Sequence, residues 1–199
     1  MPLGAFKAAL MGVAGVSTAS SGDITLLSSQ TASDTASLTF SSGITSTYGE
    51  YIFKFYNINP ATDAAKFSFQ VNATDGADYN DSAITSASFQ AAHDEANSYG
   101  QLNYDTGGDL AQGTGFQYIV ETTGNGADES LAGELHLFNP SSTTYVKNFY
   151  SRASTYYHAD YIMDAYVGGY INDTTAIDDI QFKMSSGNFD GKIKMRGVK

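Results

Sequence analysis

Residues 177–199 read IDDIQFKMSSGNFDGKIKMRGVK, and apolar and polar side chains alternate along this stretch in two runs. In the first run Ile180 and Phe182 fall on one side, and in the second run Ile193 and Met195 do so. A period of two is typical of antiparallel strands that have one buried face and one solvated face. The segment SSGNFDG between the runs is typical of a turn. We therefore predict two strands joined by a turn.

The same period of two continues upstream as far as Ile24. In residues 65–73, AKFSFQVNA, one side of the predicted strand carries Phe67, Phe69 and Val71, and the other side is mainly polar. Segments rich in Gly, Asn, Asp and Pro separate such runs. The predicted strands cover residues 24–29, 35–41, 50–58, 65–72, 83–90, 116–121, 131–138, 144–153, 161–172, 177–185 and 191–198.

This succession of short strands predicts an all-β chain folded as an antiparallel β-sandwich, with the jelly roll as the expected arrangement. The one helical candidate among the strands is FQAAHDEANS, residues 89–98, which we expect to form a single turn. The chain of 199 residues is long enough for one such sandwich and contains no segment typical of a linker. We predict one sandwich domain over residues 23–199, preceded by a short N-terminal arm or helix over residues 1–22.

The composition excludes several classes of protein. With 42% hydrophobic and only 16% charged residues, the chain is too apolar for a disordered protein. It contains no apolar run of 18 residues, so we expect no membrane insertion. It also has no cysteine, which excludes a disulfide framework and a thiolate metal site. The fold must therefore depend on its apolar core or on association with other chains.

The first 22 residues, MPLGAFKAALMGVAGVSTASSG, have the outline of a signal peptide, which would indicate a secreted bacterial sandwich protein. However, no basic residue precedes Lys7, and the apolar segment contains Gly12 and Gly15. We therefore favour a docking arm that lies on a partner surface, with a secreted protein as the alternative. The apolar side chains at helical spacing that would form its contact are Leu3, Phe6, Leu10 and Val13.

The net charge of −11 is unevenly distributed. An acidic protein repels phosphate groups, so we expect no nucleic-acid partner. Five of the ten basic residues nevertheless fall within the last 17 positions, among them Lys192, Lys194 and Arg196. These three alternate along the last predicted strand and could dock onto the acidic surface of a neighbouring copy. The alternative is that they only protect an exposed sheet edge from pairing.

No motif indicates catalysis or a cofactor. The P-loop, the dinucleotide fingerprint and G-x-S-x-G are all missing, and the three histidines have no zinc-binding spacing. We therefore expect a protein that is not an enzyme and that holds no cofactor. The loop NATDGADYND offers Asp75, Asp78 and Asp81 as weak candidates for a structural calcium ion, although their spacing does not match an EF-hand.

Tyrosine is unusually frequent, with 14 copies, and seven of them fall between residues 145 and 170. The segment STYYHADY, residues 154–161, is predicted to be a loop between two strands. Exposed aromatic side chains on loops mark binding surfaces, either for another subunit or for a glycan. We expect a homotrimer, because closed symmetry is usual for soluble oligomers and particle-bound jelly rolls are commonly trimers by analogy. The expected contact residues are Tyr150, Tyr156, Tyr157, Tyr161, Lys192, Lys194 and Arg196.

Three stretches resemble a family of virion structural proteins from marine tailed bacteriophages. They are STYGEYIFKFYNINPATD at residues 46–63, GELHLFNPSSTTYVKNFYSRAS at residues 133–154 and IQFKMSSGNFDGKIKMRGVK at residues 180–199. The resemblance covers roughly residues 24–199. It implies a sandwich domain located on the virion, where it decorates the capsid or the tail, with other virion proteins as partners. The alternative within this setting is a carbohydrate-binding module that attaches the particle to a host glycan.

Overall fold

The computed structural model describes residues 23–74, 78–79 and 82–199. This part of the chain forms twelve β-strands, and none of the described residues lies in a helix. The strands are β1 Ile24–Thr35, β2 Ser37–Phe40, β3 Glu50–Pro60, β4 Ala65–Ala73, β5 Ile84–Asp94, β6 Gly100–Tyr104, β7 Gln117–Thr123, β8 Leu131–Phe138, β9 Lys147–Tyr157, β10 Tyr161–Ile171, β11 Ile177–Met184 and β12 Phe189–Val198.

The strands form two antiparallel sheets that pack face to face, so the predicted β-sandwich is confirmed. The larger sheet has eight strands in the order β1-β12-β3-β8-β9-β10-β5-β6, and the smaller sheet has four in the order β2-β11-β4-β7. In β9 every second residue from Lys147 to Thr155 is buried and the residues between them are exposed. This alternation gives the larger sheet an inner face against the smaller sheet and an outer face on the opposite side.

Eight strands form a frame in which the chain crosses between the sheets at successive connections. The frame comprises β1-β12-β3-β8 in the larger sheet and β2-β11-β4-β7 in the smaller sheet. Two hairpins interrupt this pattern: β5–β6 lies between β4 and β7, and β9–β10 lies between β8 and β11. Both hairpins add to the larger sheet beside β8, and we call these four strands the extension.

Phenylalanine rings from both sheets fill the core of the frame. Phe182 on β11 is fully buried, and its ring centroid lies 5.4 Å from those of Phe53 and Phe55 on β3. It lies 6.0 Å from Phe67 and 6.4 Å from Phe69 on β4. Burial of one such side chain stabilises a fold by about 1.5–3 kcal/mol, and edge-to-face contacts between rings add to this.

The stretch at residues 177–199 forms β11 and β12 as predicted, with its apolar side chains buried in the core. The two strands do not pair with each other, because β11 belongs to the smaller sheet and β12 to the larger one. Gly187 in this crossing has a φ of 70°, a conformation that other residues rarely adopt. Lys183 on β11 therefore faces the opposite side of the sandwich from Lys192 on β12, and the C-terminal cations do not form one patch.

Two local predictions for the extension are wrong. Residues 89–98, predicted as a helical turn, form the end of β5 and the turn before β6, which the sequence analysis did not identify. Residues 154–161, predicted as a loop, lie mostly in β9, and the turn before β10 is only three residues long. In β5 the buried Ser88 faces inward while Phe89 is exposed, so the hydrophobic pattern that marks a strand is inverted. Pairing with β10 and β6 overrides the local preference.

Several predicted features fall on residues outside those described. They include the docking arm at residues 1–22 with Leu3, Phe6, Leu10 and Val13, and two of the calcium candidates, Asp75 and Asp81. Asp78 is described and is exposed. Within the described ranges, no helix has the length and apolar character needed to cross a membrane.

Candidate interaction face

The outer face of the larger sheet carries most of the exposed apolar surface. The strand registers place one continuous row of side chains across seven strands, namely Lys194, Lys54, Glu134, Arg152, Tyr166, Phe89 and Tyr104. Ten large apolar or aromatic side chains are exposed in the described part of the chain, and the registers place eight of them on this face. These eight are Ile24, Leu26, Tyr56, Phe89, Leu102, Tyr104, Tyr150 and Ile162.

A trough crosses the middle of the outer face. It consists of two depressions of about 540 Å³ and 400 Å³ that share Ala132 on β8 and Ser154 on β9 as their floor. Tyr56 lines the smaller depression, and Tyr156 and Ile162 line the larger one. Small side chains in the floor and larger ones at the sides give the trough its depth.

Two ion pairs form one side of the trough. Arg152 Nη2 donates to Asp164 Oδ2 at 2.7 Å, and Arg152 Nε donates to Asp164 Oδ1 at 3.2 Å, so the ion pair is bidentate. Tyr166 Oη also donates to Asp164 at 3.1 Å, and its ring lies 5.1 Å beneath the guanidinium. The hydrogen bond to Asp164 raises the pKa of Arg152. This pair is therefore held in one geometry by three side chains.

The second ion pair joins Lys54 and Glu134, with 3.0 Å between Nζ and Oε2. Burial acts to raise the pKa of Glu134, but hydrogen bonds from Lys54 and His136 outweigh it and hold the pKa below its usual range. His136 also bonds Glu50 through Nδ1, and its ring stacks on Tyr150 at 4.4 Å. Burial, with the two nearby glutamates, raises the pKa of Tyr150. The polar groups beside the trough thus neutralise and orient one another.

The four tyrosines predicted as contacts divide between the two sides of the sheet. Tyr150 and Tyr156 lie on the outer face of β9, whereas strand alternation places Tyr157 and Tyr161 on the other side, at the hairpin tip. The rings of Tyr157 and Tyr161 stack at 4.1 Å, and Tyr99 lies 5.6 Å from Tyr161. Burial and a hydrogen bond with Tyr157 raise the pKa of Tyr161. The structure therefore does not bring the four residues together as one surface.

The predicted basic residues do lie together. Lys192, Lys194 and Arg196 all project from the outer face of β12, and none forms an ion pair with a described residue. The ammonium of Lys194 lies 5.2 Å from the centre of the Tyr56 ring. At the other end of the trough the larger depression is lined by acids, namely Asp94, Glu95 and Asp128. The outer face is thus basic at β12 and acidic near the extension.

Away from the outer face, the carboxyl groups of Asp105, directly after β6, and Glu121, on β7, lie close together and stabilise the local structure. Glu121 accepts a hydrogen bond of 2.9 Å from Lys66, while burial and the charge of Glu121 raise the pKa of Asp105. A Cβ added at Gly108 would come within 2.6 Å of Asp105 Oδ2, so backbone packs directly against this carboxyl. The pair therefore lies against the connection between β6 and β7, where Asp105 also accepts the N–H of Gly107.

Among residues 23–74, 78–79 and 82–199 there is no group of three or more His, Cys, Asp or Glu side chains arranged to hold a metal ion.

The two ion pairs beside the trough were not predicted from the sequence, although the sequence contains a pattern that indicates one of them. Tyr156 pairs with Ile162 across the short turn, so Arg152 and Asp164 fall on the same face, one strand apart. Treating YYHADY as a tight hairpin instead of a loop would have predicted that contact.

Comparison with known proteins gives no assignment for this face or for the chain. No protein-family model, no curated protein and no solved structure matches it.

Proposed function

We propose that this protein is a non-enzymatic structural component of a phage particle, where it decorates the capsid or the tail and contacts its neighbours through the outer face of the larger sheet. The observation that carries the proposal is the placement of eight of the ten exposed large apolar side chains on that face. Exposed apolar side chains that concentrate on one face of a protein are typical of a surface for association. The resemblance of residues 24–199 to virion proteins supplies the setting.

The order of the strands supports a jelly roll as the architecture. The frame alone gives two four-stranded sheets, β1-β12-β3-β8 and β2-β11-β4-β7, and successive frame strands alternate between them except at β4 and β7, as in two interlocked Greek keys. This architecture is common in viral capsid and lectin domains. Fold by itself does not determine function, so the jelly roll supports the proposal without carrying it.

The two ends of the outer face are suited to head-to-tail contact between copies. One end has the free cations Lys192, Lys194 and Arg196 on β12. The other end, in the extension, combines the exposed side chains of Phe89 and Leu102 with nearby acids. Exposed ion pairs contribute only about 0–1 kcal/mol each, so they would orient the copies while aromatic burial supplies affinity. A head-to-tail contact that closes on itself gives a ring, and we propose a ring of three.

The N-terminal segment, residues 1–22, is proposed to dock the ring onto the particle. The period-two pattern of the sequence begins at Ile24, so we expect the sandwich to fold without residues 1–20. Deleting residues 1–20 should leave the melting temperature nearly unchanged and abolish incorporation into particles. A mature protein that lacks residues 1–19 by mass spectrometry would instead favour the secreted alternative.

Electron microscopy of intact particles tests the proposed function as a whole. A tag fused after Lys199 should appear as regular density on the capsid or the tail of wild-type particles. Absence of the protein from purified particles that are otherwise complete would contradict the proposal.

A further inference from the structure

We propose that the trough on the outer face binds a neutral oligosaccharide chain. The trough lies between the cations of β12 and the exposed apolar side chains of β5 and β6. Its two depressions of about 540 Å³ and 400 Å³ are continuous through Ala132 and Ser154. A continuous depression on the surface of a sheet suits a chain-like ligand better than a small enclosed one.

The polar groups of the trough match the hydrogen-bonding pattern of sugar hydroxyls, each of which donates and accepts. The Arg152–Asp164 pair offers guanidinium N–H donors beside carboxylate acceptors, already fixed in place by Tyr166. Lys54 has three ammonium hydrogens and bonds Glu134 at 3.0 Å, which leaves hydrogens for a ligand. Because these groups are preorganised, little side-chain entropy is lost when a ligand binds.

Two tyrosines provide aromatic surface for the apolar faces of sugar rings. Tyr56 on β3 and Tyr156 on β9 are two strands apart, which corresponds to about 10 Å at the usual strand spacing. Lys194 lies over the ring of Tyr56, and Tyr156 Oη bonds Asp160 at 3.3 Å, so both rings are held in position. Tyrosine joins an apolar ring to a polar tip and suits a ligand with both kinds of surface.

The charges of the trough disfavour other ligand classes. Each cation beside the floor is paired with a carboxylate, and Asp94, Glu95 and Asp128 line the larger depression, so a phosphate or an anionic sugar is repelled. An extended peptide that binds by adding a strand to the sheet would require a free strand edge. The strands beneath the trough, β3, β8, β9 and β10, are each paired on both sides. A neutral polyhydroxylated chain is the ligand that these features fit.

Affinity electrophoresis of the purified full chain in native gels tests the inference. The gels contain dextran, mannan or laminarin as neutral polysaccharides, or alginate as an anionic control. At least one neutral polysaccharide should retard the protein, and alginate should not. Retardation by none of the three, or by alginate alone, would overturn the inference.

Variants assign the binding to the trough. Arg152→Gln and Tyr156→Ala should each raise the apparent dissociation constant for the polysaccharide about tenfold or more, as expected for side chains at the centre of a binding site. The matched controls Lys183→Gln, on the opposite sheet, and Tyr145→Ala, an exposed loop tyrosine, should leave it unchanged. Equal retardation of the trough variants and the wild type would overturn the assignment, provided that circular dichroism shows all four to be folded. The gels use protein without particles, so this result is independent of the proposed virion role.

Discussion

Strand β11 of the frame and strand β5 of the extension place their phenylalanine side chains in opposite environments. In the frame, Phe182 is fully buried and contacts phenylalanines of both sheets. In the extension, Phe89 is 45% exposed and stacks flat on Tyr166 at 4.8 Å, while the serines of β5 point inward. β11 thus buries its aromatic side chain in the core, whereas β5 leaves one on the outer face, where it can contact another molecule.

The inner face of β5 after Ile84 is polar, with Ser86 and Ser88 pointing inward, because loop backbone covers it. Ser86 Oγ donates to Gln117 Oε1 at 2.6 Å and accepts from the Leu110 N–H at 2.9 Å. Asp105 N–H bonds the carbonyl of Ser88 at 2.9 Å. The connection between β6 and β7 thereby takes the place that the smaller sheet occupies over the frame. A polar interior satisfied by hydrogen bonds leaves the apolar side chains of β5 to the outer face.

The largest expected effect follows from breaking the frame. Phe182→Ala removes the ring at the centre of the core and should lower the free energy of unfolding by about 3–5 kcal/mol. Phe89→Ala in the extension should lower it by about 1 kcal/mol or less, because the ring is largely solvated. Urea unfolding of both variants measures the difference. Similar losses of stability in the two would show that the distinction between frame and extension is wrong.

All eight strands of the frame were predicted from the sequence, and predicted strands also cover most of β5, β9 and β10, but β6 and the inverted burial pattern of β5 were not predicted. Strands such as β4 and β11 bury the apolar side of a period-two pattern, so the burial of Phe67 and Phe182 could be predicted from their positions in that pattern. In β5 the exposed side is the apolar one, and burial of Ser88 depends on residues 105–116 far along the chain. The Arg152–Asp164 ion pair depends in turn on the register of the β9–β10 hairpin, whose turn region was predicted as a loop.

An intermediate effect is expected at the turn between β5 and β6. Asp94 Oδ1 accepts the backbone N–H groups of Ser98 and Tyr99 at 2.8 Å and 3.0 Å. The hydrogen bond from the Ser98 side chain, with these backbone bonds, lowers the pKa of Asp94. Asp94→Ala should therefore speed amide hydrogen exchange in β5 and β6 and leave β11 and β12 unaffected.

The pH dependence of this turn has a definite sign. A lowered folded-state pKa means that the stabilisation is complete above the ordinary aspartate range and is lost as the pH falls through the folded-state pKa. Exchange protection of β6, corrected for intrinsic rates, should fall with acidification in the wild type and not in Asp94→Ala. Equal acid sensitivity of both proteins would contradict this role.

A smaller effect of opposite sign is expected at Asp105. Its pKa is raised by burial and by the charge of Glu121, so the folded state holds its proton more tightly than the unfolded state. Stability due to this group is therefore lost as the pH rises from the ordinary aspartate pKa through the raised one. Asp105→Asn should flatten this decline in thermal melts between about pH 3 and 7. Glu121→Gln provides a contrast, because it also removes the partner of Lys66; a steeper decline in Asp105→Asn would contradict the assignment.

Light scattering coupled to size exclusion tests most directly whether the outer face is an assembly surface. At micromolar concentration the wild type should have three times the chain mass of 21.2 kDa. The double variant Lys192→Glu/Lys194→Glu should be a monomer, and Lys183→Glu, on the opposite sheet, should remain a trimer. A wild type that stays monomeric, or a double variant that still forms the trimer, would contradict the account.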